Sequence, residues 1–330
     1  MNSIAQPVSR PTSAPMLQRC TRAVHARWRR ALAVLASGLW VAFCFPALAI
    51  TPAEVLSRSP EADWRTPAPD DTYVMELDNQ RRVVIELARA MAPRHAARIA
   101  ALVKAGWYDG LAIVRVQDAY VTQWGDPEGI HPLPQGFTTT LAAEFSQPQL
   151  PAGWSYMPLG DRDVYANEVG FAAGWPVARN SRRGPVWLAH CYGMLGAGRD
   201  AAIDSGGGGE LYAVIGHAPR HLDLNITLVG RVLAGMEHLA ALPRGTEALG
   251  FYRTPVERTP IARARMLSDL PSNERPMVAV LKTESGSFAA WLAARRNRKD
   301  DWYVYPAGHI DLCNALPPVR VEWPHASPGA

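Results

Sequence analysis

The sequence predicts a mainly β fold, an antiparallel barrel or sandwich, on three observations. Short apolar runs bounded by turn residues recur along the chain, and few stretches have helical periodicity. The 28 prolines and 26 glycines among 330 residues call for many loops. With 48% hydrophobic and 19% charged residues, the chain can bury a core and is not a disordered polymer.

The N-terminus reads as an export signal rather than part of the fold. Residues 1–49 hold six arginines and no acid. Arg27-Trp-Arg29-Arg30 precedes an apolar run from Ala31 to Phe45, and Ala47-Leu-Ala49 has the small residues of a cleavage site. The apolar run is about 15 residues, short of the roughly 20 a membrane span needs. Cleavage near Ala49 leaves 28 basic and 30 acidic residues, so the basic pI of about 9.0 belongs largely to the signal. The remaining chain offers no electrostatic case for nucleic-acid binding, and it has no stable membrane span. The expected location is periplasmic or secreted. Of four cysteines only Cys191 and Cys313 remain. In an oxidising compartment they either pair, closing a loop of about 120 residues, or stay as buried thiols.

Residues 50–71, rich in Pro, Ala, Asp and Arg, read as a linker, with regular structure starting at Tyr73. Tyr73–Leu77 and Arg82–Leu87 flank Asp78-Asn79-Gln80 as strand, turn and strand. Pro93 opens a helix that Gly106 ends, with Ile99, Leu102 and Val103 on one face. Strands follow at Leu111–Gln117, Tyr120–Gln123, Pro185–His190, Leu211–Ile215, Thr227–Val232 and Ile261–Leu267. A short second helix spans Gly235–Leu242. Residues 127–180 break this rhythm and read as a long ordered insertion. Ser205–Gly209 reads as a flexible loop; without a following Lys-Ser/Thr it is no phosphate loop. Residues 271–330 form a C-terminal extension. In it Ser287 would cap a helix carrying Phe288, Trp291, Leu292 and Arg295 on one face, beside the basic cluster Arg295, Arg296, Arg298 and Lys299. The insertion and the extension are the places where a protein partner would bind.

The densest chemistry lies in Tyr108-Asp-Gly-Leu-Ala-Ile-Val-Arg115-Val-Gln-Asp-Ala-Tyr120-Val-Thr-Gln123-Trp-Gly125-Asp126. An arginine in so apolar a run needs a partner or a cleft, because its charge is costly to bury alone. No His/Cys spacing suits a metal, and nothing calls for a cofactor. A hydrolase is disfavoured, since neither Gly-x-Ser-x-Gly nor His-Glu-x-x-His occurs.

That stretch resembles the arginine strand of cyclophilin-type peptidyl-prolyl cis-trans isomerases. The resemblance runs in order over residues 72–270. It takes in Val84-Ile-Glu-Leu87, Ala92-Pro93, Leu102–Gly110, Gly184-Pro-Val-Trp-Leu-Ala189-His190, Glu210-Leu211-Tyr212-Ala213, Leu222-Asp223 and Leu228–Val232 with Gly235-Met236. It implies a cyclophilin-like eight-stranded antiparallel barrel capped by two helices, acting on proline-containing polypeptides. By resemblance Arg115 is the catalytic residue and Gln123 orients the substrate. Tyr120, Val121, Tyr212 and Leu222 form the proline pocket, and Ala189-His190 the peptide-contacting edge. Glu210 stands where the family has glutamine, Tyr212 where it has phenylalanine, and His221 near a usual Trp or Phe. Ile226 replaces a histidine. Glu210 would either hold Arg115 or neutralise it. Asp126 and Asp223 read as turn residues. These departures keep a second expectation open, a weakly active or inactive peptide-binding module.

Overall fold

Alternation along the strands closes a barrel. The computed structural model describes residues 50–324 except Asn79 and Asp301; the expected export signal and its cleavage site lie outside these residues. The strands are β1 (Trp64–Arg65), β2 (Thr72–Leu77), β3 (Arg82–Leu87), β4 (Ala112–Gln117), β5 (Val121–Gly125), β6 (Tyr156–Pro158), β7 (Glu168–Ala172), β8 (Trp175–Arg179), β9 (Val186–Leu188), β10 (Met194–Ala197), β11 (Glu210–Val214), β12 (Leu228–Ala234), β13 (Thr259–Met266), β14 (Met277–Leu281) and β15 (Val319–Glu322). The helices are α1 (Pro52–Arg58), α2 (Pro93–Lys104), α3 (Met236–Ala240) and α4 (Gly286–Arg296).

Eight strands form a closed barrel in the order β10-β11-β5-β4-β13-β2-β3-β12, every pair antiparallel. Successive side chains point to opposite faces of a strand. So Leu211 and Ala213 of β11 enter the main core with Trp124, Val116, Ile85 and Leu195. Tyr212 and Val214 point the other way and cluster with Val121, Tyr120 and Ile226. Ile99, Leu102 and Val103 of α2 and Leu239 of α3 join the barrel core, so both helices cap it. The mainly β barrel expected from the sequence is the fold observed.

Several expected elements differ. The eighth barrel strand is β10, Met194–Ala197, not Pro185–His190. The latter stretch supplies β9 of a separate sheet, β6-β7-β8-β9. The two runs lie within ten residues of each other, and the longer one, with Val186 and Trp187, carries the stronger strand signal although the short Met-Leu-Gly-Ala run completes the barrel. Within residues 127–180, β6, β7 and β8 form most of that second sheet. Alternation is missing there because β8 is buried on both faces from Trp175 to Ala178.

Residues 50–71 are not a linker. Thr51 caps α1 in a capping box with Glu54, and Val55 and Trp64 enter a second core with Phe171, Trp187, Phe288 and Trp291. β1 then pairs with β14 in a third sheet, β1-β14-β15, that unites the chain before the barrel with the C-terminal extension. The cap of α4 is Ser285, which accepts from the Phe288 N–H; Ser287 lies inside the helix. Gly206, Gly207 and Gly208 are packed, not loose. A Cβ on Gly207 would lie 2.4 Å from the Thr139 carbonyl oxygen, so only glycine lets these backbones meet. Cys191 and Cys313 form a disulfide across 122 residues. Among the described residues no helix is long and apolar enough to cross a membrane.

Candidate active site

One row of residues running across four barrel strands builds the site. Gly196 of β10 stands opposite Tyr212 of β11, Tyr212 opposite Gln123 of β5, and Gln123 opposite Arg115 of β4. The last pairing depends on a bulge: the register of β4 slips between Ile113 and Arg115, so Val114 is extra. A bulge re-aims the side chain that follows it, and here it sets Arg115 squarely against Gln123. Gly196 makes room for its neighbour, because a Cβ there would lie 2.2 Å from Tyr212 Cζ.

Three contacts hold the Arg115 guanidinium. Nε donates to the Leu249 carbonyl at 2.6 Å, Nη1 to Gln123 Oε1 at 3.0 Å, and Nη2 to Gln117 Oε1. Tyr120 and Phe251 place rings 5.8 and 5.5 Å away. Burial lowers the Arg115 pKa from its ordinary value, against the pull of Tyr120, Glu210 and Tyr212. An arginine has five N–H groups, so two remain to point elsewhere. Arg115, Tyr120, Val121, Gln123, Tyr212 and Leu222, with Gly198, Arg199 and Ile226, line a cavity of about 110 Å³. The cavity thus sets a charged donor beside apolar walls from Val121, Leu222 and Ile226.

Glu210 makes no ion pair with Arg115. Its Oε2 accepts from Gln123 Nε2 at 2.5 Å, so the glutamine stands between acid and base and is oriented from both sides. Burial raises the Glu210 pKa; Gln123 opposes this, while Asp200, Asp126 and Glu128 add to it. His221 stacks on Tyr120, ring centroids 6.4 Å apart and 5° from parallel, at the rim.

Ala189 and His190 do not form a peptide-contacting edge. Both are fully buried, because their segment turns into the second sheet. Gly198 and Arg199, just past the end of β10, line the cavity instead, and sequence reasoning missed them with that strand. Asp223, read as a turn residue, is a hub. Its carboxylate accepts from the His190 backbone N–H at 3.0 Å, Arg220 Nε at 2.7 Å and Trp187 Nε1 at 3.2 Å, and pairs with His190 Nδ1 at 2.8 Å. Asp126 keeps the turn role expected of it, accepting from the Ile130 and His131 N–H groups. Leu249, whose carbonyl holds Arg115, lies far along the chain and carries a positive φ of 59°; no local signal marks it.

Comparison with known proteins places the chain in a family. The family model for cyclophilin type peptidyl-prolyl cis-trans isomerase/CLD matches residues 72–266. Proteins from Brucella suis biovar 1 and Brucella melitensis biotype 1, each described as a probable peptidyl-prolyl cis-trans isomerase, are 25% identical over 182 residues, 54% of this chain and 75% of theirs. The crystal structure of cyclophilin AquaCyp293 from Hirschia baltica superposes with a TM-score of 0.64 at 24% identity. It covers 84% of this chain and 99% of that one, so the shared fold reaches beyond the barrel. With the family model spanning more than half of the sequence and the barrel in place, the chain belongs to the cyclophilin-type peptidyl-prolyl cis-trans isomerase family.

Proposed function

We propose that this chain isomerises prolyl peptide bonds in exported polypeptides, working outside the cytoplasm after cleavage near Ala49. The observation that carries the reading is the row Tyr212–Gln123–Arg115, which sets a fixed guanidinium at the mouth of the cavity. The barrier to amide rotation, about 18–20 kcal/mol, comes from resonance. Twisting the bond breaks that resonance and leaves the prolyl nitrogen pyramidal and basic. A free N–H of Arg115 donates to that nitrogen, an interaction stronger in the twisted state than in the planar one and therefore catalytic. Gln123 orients the substrate carbonyl through its remaining N–H. Tyr120, Val121, Tyr212, Leu222 and Ile226 surround the ring. An oriented donor in a dry site contributes roughly 10²–10³ in rate; anchoring of the peptide adds to it. No nucleophile takes part.

Glu210 favours a second reading, a peptide-binding module with little turnover, because it engages the Gln123 amide from the other side. Exchange NMR on proline peptides separates the two. The isomerase reading expects line broadening by the wild type and a kcat/KM about 10²–10³ lower in Arg115→Ala, with peptide affinity nearly kept. Saturable peptide shifts without exchange would move the assignment to the binding module. The exported protein should begin at Ile50; a cytoplasmic, unprocessed chain would sink the assigned location.

A further inference from the structure

Beneath the cavity lies a chain of buried polar groups that the isomerisation mechanism does not use. Tyr212 Oη is 3.0 Å from His190 Nε2, and His190 Nδ1 is 2.8 Å from Asp223 Oδ1. Arg220 then joins two carboxylates, donating from Nε to Asp223 at 2.7 Å and from Nη1 to Asp163 at 3.0 Å. All five side chains are buried, their exposures between 1% and 6%.

The protonation pattern follows from the partners. An ionised carboxylate only accepts, so Nδ1 carries the imidazole proton. Burial lowers the His190 pKa, with Arg220 and His221 adding to the effect and Asp223 opposing it, so the ring is neutral. Neutral imidazole with its proton on Nδ1 leaves Nε2 as an acceptor, and the Tyr212 hydroxyl donates to it.

Two surfaces of the cavity hang from this chain. The Tyr212 ring packs on the bare backbone of Gly196; its hydroxyl is held at the far end by His190. The turn Arg220-His221-Leu222-Asp223 sends its first and last side chains into the network. Its middle two reach the cavity side, where Leu222 lines the wall and His221 stacks on Tyr120. The same carboxylate of Asp223 therefore fixes both the floor and the rim.

We propose that His190 is a positioning residue of the proline pocket, setting the Tyr212 ring through its Nε2. The proposal rests on the reading of the cavity as the prolyl site. It makes the pocket of this chain a polar-anchored one, adjusted from below by the second sheet and by Asp163 of the β6–β7 connection.

The test compares two amides in place of the imidazole. In His190→Gln an amide oxygen replaces Nε2 and still accepts from Tyr212. In His190→Asn the amide reaches Asp223 but not Tyr212, which orphans the hydroxyl. Peptide affinity from chemical-shift titration and kcat from exchange NMR are read on each full-length variant. His190→Asn should weaken binding about fivefold to tenfold, the scale of one buried hydrogen bond, with kcat changed less than about twofold. His190→Gln should stay near wild type. Removing the orphan in His190→Asn/Tyr212→Phe should restore the affinity of Tyr212→Phe alone. Equal affinity in the Asn and Gln variants, or no recovery in the double variant, would overturn the proposal. Should His190→Asn fail to fold, Tyr212→Phe and the double variant still decide it: unequal affinities in these two would refute a role acting through the hydroxyl. Arg115→Ala, read on turnover alone, separately tests the isomerase reading. A wild type that binds no prolyl peptide would remove both.

Discussion

At the residue scale, Arg115 and Gln123 were legible through the resemblance of their stretch to the cyclophilin arginine strand, while the bulge at Val114 that sets them face to face was not. Glycines decide as much as the polar groups. Gly196 is opposite Tyr212, and its missing Cβ is the space the ring occupies. Gly196→Ala forces the ring into the cavity. Overpacking of this kind costs about 1–3 kcal/mol. We expect it to lower unfolding stability by that amount and kcat/KM more than tenfold, measured by urea titration and exchange NMR. Unchanged activity would mean the ring has room that its position against Gly196 denies. Glu210 was expected to hold or neutralise Arg115 and instead orients Gln123. A carboxylate's reach across two strands is set by sheet register, which no spacing in the sequence reveals.

At the element scale, α2 begins at Ala92, which has no side chain able to cap. Its free N–H groups find a partner from a distant loop. Glu144 accepts from the backbone of Arg94 at 3.2 Å and His95 at 3.0 Å, and pairs with His95 Nδ1 at 2.6 Å. A carboxylate at a helix N-terminus satisfies orphan donors and meets the positive end of the dipole. Burial works against the charged form, but the hydrogen bonds from His95 and Arg94 win, and the Glu144 pKa falls from 4.5 to about 2. A depressed carboxylate stabilises the fold fully above its unfolded value and loses that contribution as pH falls through its folded value. Acid titration of stability should therefore show a loss that sets in as pH falls toward 4.5 and finishes only below about 2. Glu144→Gln should flatten that limb and cost about 1–2 kcal/mol at neutral pH. An unchanged acid limb in the variant would place the loss on other carboxylates. Pro93 and Gly106 announced this helix; its cap could not be read, since it lies some fifty residues away.

At the scale of the whole molecule, the barrel is tied to its surroundings by two long-range links. Glu86 of β3 accepts from Arg231 of β12 at 2.9 Å and from Arg65 of β1 at 2.7 Å, joining the barrel to the third sheet. Burial raises the Glu86 pKa, but Arg231 and Arg65 outweigh it and keep the carboxylate ionised. The Cys191–Cys313 disulfide ties the extension to the segment beside His190. A closed loop of this size contributes about 4–5 kcal/mol in the chain-entropy model. Reduction should lower the denaturation midpoint accordingly while the barrel row with Arg115 and Gln123 persists in the native state. A midpoint indifferent to reductant would show that the third sheet and the packing of α1 and α4 hold the extension without the disulfide. From the sequence the two cysteines were equally compatible with pairing and with free thiols, because bond geometry depends on approach in space.

What the amino-acid sequence determined by itself was the local grammar. Strand alternation, the Pro-to-Gly span of α2 and the Arg115–Gln123 spacing all depend on residues close together in the chain. The tertiary structure decided which of two adjacent apolar runs closes the barrel, and so why Gly198 and Arg199 rather than Ala189 and His190 border the cavity. It decided that residues 50–71 pack rather than link, through Val55 and Trp64. It also turned Asp223 from a turn residue into the carboxylate that Trp187, His190 and Arg220 share. In each case the controlling energy is burial or hydrogen bonding between groups far apart in the chain. Such terms have no signature until the fold brings the partners together.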